Sequence, residues 1–370
     1  MSNETVLKER EARINKAIAL EKPDRTPVVL LYALFAAAAT GRPFAEFCES
    51  IAKSAEIMIE AYGLCGDADG MDYLGFPTYG LSFMWMSKVK IPGKELPEDV
   101  SYQVAESELM KEEDYDTILD KGWESFFGDF MMTRVLNDVD PQQIPMNQPP
   151  FNPKAALDPL GIPVLTGGPA LVTPFDMLCG GRSLACFVHD MYTIPDKVEA
   201  VMDLIIPTVS GLPIEIAKAV GAPGIWVGGW RSASATLSPK LWDRFVWPYY
   251  RRLAMETIDA GLTAILHLDS DWTRDLARFR ELPKGKCILA TDGMTDIFKA
   301  KEILGDHMCI MGDVPAAKLS MGTPDEVYEY STRLIRELGP EGFILHSGCD
   351  IPANAKLENV RAMVSAATGK

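Results

Sequence analysis

Histidine is scarce in this chain: His189, His267, His307 and His346 are the only four in 370 residues. Chemistry that needs an imidazole therefore has few places to occur. The seven cysteines include no C-x-x-C pair, and their odd number argues against a disulfide framework. Metal binding, catalysis or core packing remain for them, and Cys186, Cys287 and Cys309, in or beside apolar runs, read as core. Positive charge is also short, with 36 Lys and Arg against 52 Asp and Glu for a net charge of -16. Such a surface repels nucleic acid and anionic membranes and does not attract a polyanion, so neutral small molecules and other proteins are the expected partners. Apolar runs of about 18 residues are missing, and Leu30 to Ala39 is too short and too alanine-rich to span a bilayer. The charged start MSNETVLKEREAR carries no hydrophobic signal segment, which predicts a cytoplasmic protein.

Core-forming material, by contrast, is ample: 47% of residues are hydrophobic, and the length suits a (β/α)8 barrel with an N-terminal extension as one domain. Buried parallel strands read as short continuous apolar runs. Such runs lie at 27–31, 70–74, 163–166, 224–227, 263–266, 287–290, 308–311 and 343–345, with helical patterns in nearly every interval. Eight strands alternating with helices predict an α/β fold, a (β/α)8 TIM barrel, preceded by a helix over Thr5 to Leu20. The stretch 76–153 fits no barrel helix. It opens with Phe76, Tyr79, Phe83, Met84, Trp85 and Met86, passes through a hairpin-like Lys88 to Gly93, and becomes Pro/Gln/Asn-rich from Gln142 to Pro153. We expect a single domain over 1–370, with 76–153 as an inserted lid.

The residues at the strand ends carry the chemistry. In order they are Thr166-Gly167-Gly168, Gly228-Gly229-Trp230-Arg231, His267-Leu268-Asp269, Thr291-Asp292-Gly293, Gly312-Asp313 and His346-Ser347-Gly348-Cys349. In a closed parallel barrel all these ends open onto one face, so His267, Asp269 and Cys349 can share a pocket. Asp292 and Asp313 stand where they can hold a substrate hydroxyl or orient His267, with turn capping as the competing role. Strand alternation turns His346 the same way as Gly348 and opposite to Cys349, which puts the cysteine ahead of it and leaves His346 among the substrate contacts. Arg231 is placed to bind a carboxylate or to pair with Asp269. Tyr32, Phe35, Trp85, Met86 and Trp230 are the aromatic and methionine candidates for a substrate pocket. Trp242, Trp247, Tyr249 and Tyr250 fall at helical spacing and read as packing, while His189 and His307 read as surface or loop residues.

The order TLSPKLWDRFVWPYYRRL, AILHLDSD, IMGDVPAAKLSMGTPDEVYEY and LGPEGFILHSGCDIPANAKLENVRAM resembles the uroporphyrinogen decarboxylase superfamily, and within it the corrinoid-dependent methyltransferases. The resemblance runs from about Gly221 to the end, and EKPDRTPVV near the start agrees with it. It implies a barrel with its pocket at the C-terminal face and two chemistries, decarboxylation of a tetrapyrrole or methyl transfer involving a corrinoid carried by a partner protein. Decarboxylases of the family hold the porphyrinogen carboxylates with an arginine-rich motif after the first strand. Here Leu30 to Thr40 has no arginine, and buried carboxylates without cationic partners are costly, which disfavours that substrate. Thiol-methylating members bind zinc through His-x-Cys and a late Cys; His267 and Cys349 match, and Asp269 replaces the middle cysteine. A His, Asp and Cys set suits zinc, but the lost thiolate favours the reverse direction, demethylation of a small methylated donor such as a methoxylated aromatic, with the methyl passing to the corrinoid. Methylcobamide:thiol transfer, cofactor-free decarboxylation and a non-catalytic corrinoid-protein-binding subunit are the alternatives, and a homodimer is a compatible assembly.

Overall fold

The computed structural model describes residues 2–370. Eight parallel strands form its centre: β1 (Val29–Leu30), β2 (Gly70–Met71), β3 (Leu171–Val172), β4 (Gly224–Gly229), β5 (Thr263–Leu268), β6 (Cys287–Thr291), β7 (Cys309–Val314) and β8 (Phe343–Ser347). From β3 to β8 each strand pairs with the next in sequence. Shorter contacts complete the ring: β1 pairs with β2, Met71 bridges to Val164, Thr166 to Gly224, and Val28 to Leu345. The result is the closed (β/α)8 barrel that the strand-helix alternation predicts. Branched side chains on its strands are buried on both sides, as expected when helices cover the outside and side chains fill the inside.

The third strand departs from its expected form. Residues 163–166 touch both neighbours only by single bridges, and ladder pairing starts later, at Leu171. Thr166 faces Gly224 and Leu171 faces Val227, so Gly167 to Ala170 makes a detour of two extra residues. Gly167 is required there, since a Cβ would lie 2.7 Å from the side chains of both Ala222 and Val220.

The barrel is closed from beneath. Helix Asn3–Ile18 is capped by Ser2, whose hydroxyl accepts from Thr5 N, and it turns Ile14 and Ala17 inward. These join Val29, Leu165, Ile265, Ile288, Ala290, Cys309, Met311 and Ile344 in one interior apolar cluster. Arg13 from this helix and Arg25 from the following loop both reach the buried Asp69 at 2.6 Å. A cavity of about 160 Å³ lies at this end, lined by Ile14, Pro163, Leu165, Ile265 and Ile288 with Glu11 and Lys154 beside it.

Residues 76–153 hold short elements: helix Gly80–Trp85, an antiparallel pair Lys88–Lys90 with Gln103–Ala105, helices Glu113–Lys121 and Trp123–Phe130, and single turns at Pro141–Gln143 and Pro145–Asn147. The Pro/Gln/Asn stretch is thus two 3-10 turns running into helix Pro153–Leu157. Helix Gly80–Trp85 packs on helix Pro174–Arg182, and helices Glu113–Lys121 and Trp123–Phe130 pack on helix Pro195–Val209. Arg182 reaches Glu108 and the Met110 carbonyl, and Tyr115 donates to Asp190 at 3.0 Å. Further on, Pro195–Val220 is long and apolar enough by composition to cross a membrane. Its first part, Pro195–Val209, turns Val198, Val201, Met202, Ile205 and Ile206 into the core.

Candidate active site at the barrel mouth

β5 has Ile265 in the interior cluster, so His267, two positions on, points the same way at the mouth end. Its Nε2 lies 3.4 Å from Asp269 Oδ1 and 3.6 Å from Cys349 Sγ, and the three donor atoms all lie within 4.8 Å of one another. Burial disfavours the imidazolium, yet Asp269 and Cys349 outweigh it and hold the His267 pKa well above the usual value. Burial likewise raises the Cys349 thiol, against the pull of His267. The three side chains therefore converge on a point where their charges call for a cation, whether a proton or a metal. A tetrahedron with zinc bond lengths of about 2.05 Å to N, 2.1 Å to O and 2.3 Å to S has N···O and N···S edges of about 3.4 and 3.6 Å. The two separations from His267 fit these edges, and Asp269 Oδ1 is buried without a hydrogen bond of its own.

Beneath this cluster is a polar layer of which the sequence indicated only His346. Trp226 of β4 stacks on His267 with ring centroids 4.4 Å apart and planes 3° from parallel. Its indole N–H donates to Asp72 Oδ1 at 2.8 Å. The other Asp72 oxygen lies 3.6 Å from His346 Nε2, and neither atom has a hydrogen bond. Burial pushes Asp72 up to about 7, opposed by the Trp226 hydrogen bond and His267. His346 is pulled down to about 3 by burial and by His267, so it stays neutral. Asp350, beside Cys349, is raised to about 6 by burial and accepts from Tyr73 at 3.3 Å.

One wall of the mouth is aromatic. Gly228 is in register with His267, and a Cβ on it would lie 2.2 Å from the Trp230 ring, so the indole covers the strand beside the histidine. Trp85 packs against Trp230 at 5.3 Å, and the Arg231 guanidinium lies 5.0 Å from the Trp85 ring centre. Asp176 anchors this corner: its carboxylate accepts from Arg231 N, Ser232 Oγ and Thr173 Oγ1. Burial still raises it to about 6.

Other expected site residues make hydrogen bonds within the fold. Asp292 accepts from the backbone N–H groups of Ser270 and Met294, clamping the loops after β5 and β6; burial raises its pKa. Asp313 takes the Tyr330 hydroxyl at 2.9 Å, and burial pushes it up to about 7. Tyr32 and Phe35 are corrections: both are fully buried, Tyr32 donates to the Met58 carbonyl, and the two rings pack edge to face in the core. Met86 is another, at 0% exposure against Gly181. An aromatic near a strand end says nothing about which face it will take, and here helix Ile51–Leu64 offers the apolar surface. Cys287 and Cys309 are core as expected, whereas Cys186 is half-buried. His189 is exposed, and His307 binds the Leu282 carbonyl.

Fold and site together define a barrel whose strand ends hold a compact His, Asp and Cys group. Residues 159–369, more than half of the chain, match the model of the uroporphyrinogen decarboxylase (URO-D) family. The chain belongs to that family. It is 27% identical over 199 residues to the uroporphyrinogen decarboxylase of Syntrophotalea carbinolica and 25% over 202 residues to that of Geobacter metallireducens, covering 52% of this chain and 56% of the relative in each case. The chain thus spans about half the length of the curated relatives it matches. A solved methyltransferase from Methanosarcina mazei shares the fold with a TM-score of 0.67 at 16% identity, over 96% of this chain and 97% of that one.

Proposed function

We propose that this protein is the substrate-recognising methyltransferase of a corrinoid system. It takes a methyl group from a small methylated compound, by preference a methoxylated aromatic, and passes it to the Co(I) corrinoid of a partner protein. The observation that carries the reading is the convergence of His267, Asp269 and Cys349 at the mouth. Zinc held by these three would supply a Lewis acid for an ether oxygen. Asp269 brings a hard oxygen where thiol-methylating relatives bring a second sulfur, which favours breaking a methyl-oxygen bond over activating a thiol. As that bond breaks the oxygen keeps the electron pair and the methyl joins cobalt. Asp72, one layer below and raised to about 7, is about half protonated at neutral pH and so can exchange a proton with the site. Trp230 and Trp85 give an aromatic ring flat apolar surfaces.

The test is spectroscopic. Purified protein, reduced corrinoid protein and a panel of methoxylated aromatics are expected to give the absorbance change of methyl-cobalt formation, with about one zinc per chain by elemental analysis. No change across the panel counts against the reading. A cofactor-free decarboxylase of a smaller acid is the second reading, favoured by the two named relatives. Release of carbon dioxide without any corrinoid would establish it. Uroporphyrinogen itself is disfavoured, because helix Leu34–Thr40 offers no arginine and Arg42 is engaged with Glu46 and Glu60.

A further inference from the structure

We propose that Arg231 is a carboxylate-binding residue that restricts the substrate to methylated aromatic acids; this rests on the methyl-transfer reading above. Within the first three residues after each of the eight strands, Arg231 is the only cation. Its surroundings there are acidic, with Asp269, Asp292 and Asp350 following β5, β6 and β8. These carboxylates surround the entrance, and an anionic substrate there gains from a cation placed on the wall. Arg231 supplies that group and is held in place on two sides. Its own N–H is fixed on Asp176 at 2.7 Å, and its guanidinium lies over Trp85.

The guanidinium is only partly used. Nη2 donates to Glu106 at 3.1 Å, Nη1 has a long contact to Cys179 Sγ at 3.9 Å, and Nε makes no hydrogen bond. Glu106 is 40% exposed, so this ion pair is a rim contact that a second carboxylate can join or replace. A planar fork with free donors matches a carboxylate with two parallel hydrogen bonds. The neighbouring Trp230 covers the strand beside His267. A flat ring lying on Trp85 and Trp230 would carry its acid group beside Arg231.

Isothermal titration with para-methoxybenzoate and with its neutral isostere para-methoxybenzamide tests this in wild type, Arg231→Gln, Arg231→Lys and Glu106→Gln. Wild type is expected to prefer the acid by about 10-fold or more, the worth of a charged hydrogen-bonded pair. Arg231→Gln abolishes the preference, Arg231→Lys keeps part of it, and Glu106→Gln tightens the acid by freeing the fork. Equal binding of acid and amide by wild type, binding of neither, or an unchanged preference in Arg231→Gln overturns the proposal. Methyl transfer from methoxybenzene with no preference for the acid sinks the carboxylate site and leaves the function standing. Arg231-dependent binding of the acid with no methyl transfer from any donor does the reverse.

Discussion

Asp69 and Asp72 flank the same two-residue strand, and both are 0% exposed, yet the protein treats them oppositely. Asp69, toward the base, is surrounded: Arg13 and Arg25 each reach it at 2.6 Å and Val28 N donates at 2.9 Å. Asp72, toward the mouth, has one hydrogen bond, from Trp226, and one oxygen left bare beside His346. Burying a carboxylate is expensive unless it is paired and hydrogen-bonded. At the base that cost is offset and the result is a tie between the N-terminal helix and the barrel. At the mouth it is left standing, which is what chemistry at a strand end calls for.

The sharpest way to break this contrast is to remove each charge. Asp69→Asn leaves two arginines facing a neutral amide and is expected to cost about 3 kcal/mol in urea unfolding, whereas Asp72→Asn stays within about 1 kcal/mol. Equal losses would erase the distinction between base and mouth. Next in size, His267→Ala or Cys349→Ser is expected to weaken zinc binding by about 100-fold or more, read by competition with a chromophoric chelator, and the near-isosteric Cys349→Ser leaves the midpoint of unfolding nearly unchanged in the metal-free protein. Trp226→Phe removes the N–H to Asp72 and shrinks the ring on His267. A fall of about 10-fold in zinc affinity is expected, because the imidazole has no hydrogen bond on Nδ1 to orient it.

A separate effect is a pH slope. Folded Asp72 keeps its proton up to about pH 7, whereas unfolded aspartate loses it near about 3.9. Between these values the folded state binds more protons, so stability falls as pH rises through the window. Asp313, raised to about 7 in the same way, adds to the fall. Unfolding curves from pH 4 to 7 are expected to decline less steeply in Asp72→Asn. A parallel decline in both proteins would place the slope elsewhere.

Much of this architecture could be read from the chain, because a strand buried on both sides must be a continuous apolar run, and seven of the eight runs became strands. The run at 163–166 formed only single bridges because Gly167 and Gly168 divert the backbone before the ladder begins. His267, Asp269 and Cys349 were legible from scarcity and position. Asp72 and Trp226 were not: each is one residue inside or beside an apolar run, and nothing local says that they meet across the barrel. The misreading of Tyr32, Phe35 and Met86 has the matching cause, since a large apolar side chain suits a pocket and a helix interface equally well.

The apolar plug under the barrel, from Ile14 and Ala17 up through Ile265 and Met311, makes the site a vessel with one opening. If methyl transfer to a corrinoid protein is its work, substrate and partner use the same door. The partner would then shut in whatever arrived before it, so the kinetics should be strictly ordered: small molecule first, corrinoid protein second, demethylated product out only after the partner leaves. An excess of corrinoid protein should then slow turnover by guarding an empty site.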